Sequence, residues 1–131
     1  MLAPANNVRV LLTKILKKSP DGLWLEQTFS GPVQVTWNLH LDRSMYATIG
    51  PDDSAVFGNL EKSARSFILQ LYYYPNNLEG TIESNQPTRL VFKAVSDTAE
   101  SKELTIEVEW DGVWEEDRIK MKGHCKVAEI T

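Results

Sequence analysis

Cysteine is almost missing from this chain. Cys125 stands alone, which excludes an intramolecular disulfide and fits a reducing compartment, the cytoplasm. Positive charge is also short. Fourteen Lys and Arg against eighteen Asp and Glu leave a formal charge of −4, the wrong sign for a protein that binds phosphate backbones, so no nucleic-acid partner is expected. No apolar run approaches the roughly 20 residues that a membrane-spanning helix needs. No signal peptide is visible, so no membrane partner is expected either. Phosphate loop, dinucleotide fingerprint, nucleophile elbow and HExxH motif are all lacking. Histidine is scarce, with only His40 and His124, and two ligands do not make a strong metal site. We therefore expect no cofactor, no metal and no catalytic residue.

At 131 residues the chain reads as one domain that buries roughly two thirds of its unfolded surface without staples. It also reads as a piece of a larger intracellular protein.

What is present is alternation. Leu104, Ile106, Val108 and Trp110 alternate with Thr105, Glu107 and Glu109, the period of a half-buried strand. A second run follows, with Ile119, Met121, Gly123, Cys125 and Val127 set between Lys120, Lys122, His124 and Lys126. Paired antiparallel with Trp110 opposite Ile119, the two runs give one apolar face and a second face with glutamates opposite lysines. A one-residue slip loses both. The connection is then an acidic loop from Asp111 to Arg118. Its Asp111, Glu115, Glu116 and Asp117 do not match an EF-hand spacing and read as solvated, as do Asp52 and Asp53.

Further strands are expected at 23–29 and 33–41, joined as a hairpin across Ser30-Gly31-Pro32, and at 46–49 with 55–57 as its continuation. Others are expected from about Arg65 to Tyr74, Leu78 to Glu83 and Arg89 to Val95; residues 59–74 also fit a helix capped by Asn59, with Leu60, Ala64, Phe67, Ile68, Leu71 and Tyr72 at helical spacing, and the strand is the favoured of the two. One stretch reads differently. Val8, Leu11, Leu12, Ile15 and Leu16 fall at helical spacing, Asn7 can cap, and Lys14, Lys17 and Lys18 suit a helix C-terminus. The expectation is an all-β sandwich or small barrel of about seven to eight mainly antiparallel strands, with one N-terminal α-helix at about 7–18.

His124 and Cys125 are neighbours in sequence, but on a strand they point to opposite faces, which argues against a thiol nucleophile with its base. Aromatic residues are the one excess. Trp37 and Trp110 fall on inward faces. Trp24, Trp114, Tyr72 and Tyr74 do not, and exposed aromatics mark recognition surfaces. With Glu115 and Glu116 beside Trp114, these six are the candidate binding residues. Chain length and the Trp110-Asp111-Gly112 run resemble the intracellular lipid-binding barrels over those few residues only. The helical pair that those proteins carry after their first strand has no counterpart here, so the resemblance carries no function.

The function expected is a non-catalytic interaction module that recognises a protein partner, or another domain of its parent chain, through exposed aromatics. The alternative is a small-molecule or glycan-binding β-domain with an aromatic cleft. An enzyme would need His40 or His124 beside a carboxylate in a pocket.

Overall fold

The first apolar run is a strand, not a helix. In the computed structural model, which describes residues 5–37, 47–49, 55–56, 58–61, 66–71, 73–96, 99–121 and 123–130, Ala5–Lys18 forms β1. Helical spacing is mimicked by a bulge. Leu12 lies opposite Phe92 and Lys14 opposite Val91, so Thr13 is one residue too many. That extra residue returns the alternation to the same face, and both Leu12 and Ile15 are buried although three apart. The Thr13 Oγ1 donates to the Val91 carbonyl at 3.1 Å and occupies an acceptor beside the irregularity. Val8, Val10, Thr13 and Ile15 are β-branched, which favours the extended state.

β1 is the spine of a seven-stranded sheet. One edge of it pairs with β10 (Thr88–Val95), which pairs with β11 (Leu104–Trp110), which pairs with β12 (Cys125–Ile130). Its other edge is shared by β3 (Val33–Gln34) and β2 (Trp24–Glu26), and β5 (Ala47–Ile49) pairs with its first residues. The expected hairpin of 23–29 with 33–41 is therefore corrected. Both segments pair with β1, at different levels along it, because a strand this long has room for two short neighbours. β4 (Thr36–Trp37) pairs with β6 (Ala55–Val56), and β7 (Gly58–Glu61), β8 (Ser66–Leu69) and β9 (Thr81–Ile82) form a three-stranded sheet. All of these pairings are antiparallel.

Core residues come from two sheets. Leu12, Ile15, Leu90, Phe92 and Val108 of the large sheet cluster with Phe67, Leu69 and Ile82 of the three-stranded one. Val33 and Val35 join them, and Val35 bridges to Leu71.

The late hairpin exists, but with another register. Val108 faces Val127, Glu109 faces Lys126 and Trp110 faces Cys125. Residues 119–121, expected as strand, belong instead to a helical turn, α1 (Arg118–Met121). The offset from the expected pairing is even, so Val108 and Trp110 stay buried as expected while their partners change.

Candidate functional site

Two regions carry the sequence-derived candidates. The first is the connection from β11 to β12. It leaves the sheet at Trp110, which is buried and donates its indole N–H to the Val113 carbonyl at 3.1 Å. Asp111 accepts the Val113 amide on Oδ1 at 2.9 Å, a local turn of the kind aspartate favours. Gly112 follows at φ 87, a conformation that a side chain would strain. Asp117 then caps α1 by accepting the Ile119 amide at 2.8 Å. The chain closes where Asp111 donates its amide to the His124 carbonyl at 3.0 Å.

The side chains close it as well. His124 Nδ1 lies 2.6 Å from Asp111 Oδ2, and its Nε2 is 3.9 Å from Glu115 Oε1. His124 is thus half-buried against carboxylates, where sequence placed it free in water. The hydrogen bond from His124, with the Val113 amide second, holds the Asp111 carboxyl below its usual range. Cys125 packs against the core, and burial, with the Asp111 charge second, pushes its thiol up. The thiol therefore stays protonated at neutral pH and is a poor nucleophile.

A cleft of about 120 Å³ opens beside His124, lined by Asn85, Glu109, Trp110, Asp111, Gly123 and Lys126. This is smaller than a pocket for a drug-sized ligand, roughly 300–1,000 Å³. No hydroxyl or thiol lines it. What the His124–Asp111 pair does there is tie the two ends of the connection together. Among the described residues no group of three or more His, Cys, Asp or Glu is arranged to hold a metal ion.

On this tied connection Val113 is 43% exposed and Ile119 is 80% exposed. Trp114 and Glu115 are half-buried and Glu116 is exposed. The Trp114 indole N–H is buried with no acceptor among the described residues. Glu115 donates its amide toward Met121 Sδ at 3.3 Å. Sequence reasoning missed Ile119 because the alternating pattern placed it inside a strand. The signal for it was Asp117 two residues earlier, a helix-capping residue.

Acid should loosen this closure in a defined way. A carboxyl depressed in the folded state contributes stability above its unfolded value, and that contribution disappears as pH falls through the folded value. In NMR titration the Asp111 carboxyl should titrate at lower pH in the folded protein than in an unfolded peptide spanning 108–126. In Asp111→Asn the connection should be loose at neutral pH, and its difference from wild type should vanish at low pH. Equal midpoints in protein and peptide would show that His124 does not hold this carboxylate.

The second region lies across the sheet's far edge. Trp24 is half-buried beneath Arg89, 4.1 Å from its ring centre, with Lys18 at 5.9 Å. Arg89 also pairs with Glu107 at 3.0 Å across the β10–β11 ladder. Leu23 and Leu25, on either side of Trp24 in sequence, are exposed. Tyr74 is exposed along its ring while its hydroxyl donates to the Leu69 carbonyl. An open cleft of about 310 Å³ is lined by Lys17, Leu25, Glu26, Gln27 and Glu79. Trp24 lies on β2, whereas Trp114 lies on the β11–β12 connection. Tyr72, His40, Asp52 and Asp53 lie outside the described residues.

No helix among the described residues is long and apolar enough to cross a membrane. Comparison with protein-family models, with curated proteins and with solved structures finds no match to the chain.

Proposed function

We propose that this chain is a non-catalytic interaction module that binds a protein partner through apolar side chains on the β11–β12 connection. The observation that carries the reading is Ile119. Among the described residues it is the most exposed of the large apolar side chains, at 80%, yet it sits on a capped turn anchored at both ends. A fixed, exposed aliphatic group loses little entropy on docking, which favours recognition. Val113 and the half-buried Trp114 extend the same surface, with Glu115 and Glu116 as its polar rim. The architecture we propose beneath it is a β-sandwich, supported by the core that the large and three-stranded sheets share. We also place the module in the cytoplasm, on the strength of its single, unpaired cysteine.

A photo-crosslinking residue at position 119, compared with one at Lys102, tests this in cells. A partner captured from position 119 and not from 102 is then titrated against purified protein. Ile119→Asp should weaken that complex by about tenfold or more, roughly 1.4 kcal/mol, with the melting temperature unchanged. Equal affinity for Ile119→Asp and wild type would overturn the reading.

The alternative, a small-molecule or glycan binder, draws on the open cleft beside Leu25, where the buried Gln27 Oε1 has no donor among the described residues. Intrinsic tryptophan fluorescence against sugar and fatty-acid panels decides it, and a flat response counts against it.

A further inference from the structure

We infer that the free edge of β12 pairs with the same edge of a second copy of this chain, joining two large sheets into one. The inference is independent of the partner surface at Ile119.

The free groups on that edge follow from the ladder. Asp111 donates its amide to the His124 carbonyl, and Glu109 faces Lys126 two residues further on. Backbone groups in an antiparallel pair alternate between facing the partner and facing away. The His124 carbonyl, and the N–H and C=O of Lys126, Ala128 and Ile130, are therefore directed toward β11, while the His124 N–H donates to the Met121 carbonyl. Cys125, Val127 and Glu129 direct theirs away from it. β12 is the last strand of the sheet and pairs only with β11 among the described residues. Val127, in the middle of this edge, is 51% exposed. An unpaired strand edge is a template for another strand.

Self-complementarity picks the occupant. Only residues whose backbone groups point outward can form the hydrogen-bonded pairs of an antiparallel dimer. The register centred on Val127 sets Val127 against Val127 of the second copy, Cys125 against its Glu129, and Lys126 against its Ala128. No like charges meet, and the exposed valines cover each other. A shift one way sets Lys126 against Lys126 of the second copy, which is repulsive. A shift the other way sets Val127 against Glu129. One two-fold register thus satisfies the edge and its neighbours lose either charge balance or apolar burial.

Proline supplies the test. The Val127 N–H points away from β11, so Val127→Pro removes no bond of the existing ladder and blocks only the outer edge. Ala128→Pro removes an inner bond instead. Sedimentation velocity over a concentration series should show wild type going from monomer to dimer. Val127→Pro should stay monomeric over the same range and keep most of its melting temperature. Ala128→Pro should lower that temperature clearly. In hydrogen exchange, the Val127 and Glu129 amides of wild type should be protected at high concentration and lose that protection on dilution. Wild type that is monomeric throughout overturns the inference, as does a dimer that survives Val127→Pro or leaves those amides unprotected. Protection that requires an added peptide strand also overturns it, since the occupant is then a different chain.

Discussion

Leu90→Ala should lower the stability of the fold by about 2–5 kcal/mol, the range for removing a fully buried leucine. Leu90 is 0% exposed and stands in the centre of the large sheet, opposite Ile15 on one side and Ile106 on the other. Both neighbours are held by backbone ladders and cannot slide inward to fill the space, so the cavity persists. A loss of that size is comparable with the whole stability of many domains, so the variant is measured at low temperature in a urea titration. Leu104→Ala is the control. Leu104 belongs to the same sheet, on the adjoining strand, but is 38% exposed, and its truncation should cost less than about 1 kcal/mol. Equal losses for the two would mean that the shared core does not lie where Leu12, Leu90 and Phe67 place it.

Much of this frame was legible because alternation reports which face a residue takes. β10 and β11 sit close to where their patterns put them, and Val108 and Trp110 are inside. Alternation fixes parity, however, and leaves the offset free. Placing Trp110 opposite Ile119 or opposite Cys125 gives the same faces, since the two choices differ by an even step. Charge matching favours the wrong offset, because the expected register sets glutamates opposite lysines along that face, whereas the observed one keeps Glu109 opposite Lys126 and sets Glu107 against Ala128. The helix at 7–18 failed for a different reason. A bulge at Thr13 shifts the phase of the strand, and apolar residues on either side then fall at i and i+3, the spacing of a helix. A local pattern cannot separate those two cases; the neighbouring strand β10 does. The candidate site was less legible still. The sequence around Trp114 and its glutamates reads as a solvated acidic loop, whereas the loop is closed by the His124–Asp111 contact across thirteen residues of sequence separation. Ile119 emerged only once the turn that displays it was known.

Trp110 links the core to that surface, and its two substitutions should separate the two roles. Trp110→Ala removes a side chain only 3% exposed and should cost about 3–5 kcal/mol. It also removes the donor that holds the Val113 carbonyl. Trp110→Phe keeps most of the ring volume and takes away that donor alone, so a smaller loss of about 1 kcal/mol is expected. The informative readout is local. In Trp110→Phe the amides of Val113 and Glu115 should exchange faster than in wild type, while those of Leu90 and Val108 keep their protection, because β10 and β11 stay paired. Faster exchange in the connection with an unchanged core identifies the indole as the tether between them. If the connection keeps its protection in Trp110→Phe, the tether is the Asp111–His124 pair, and Asp111→Asn should then release it where Trp110→Phe does not.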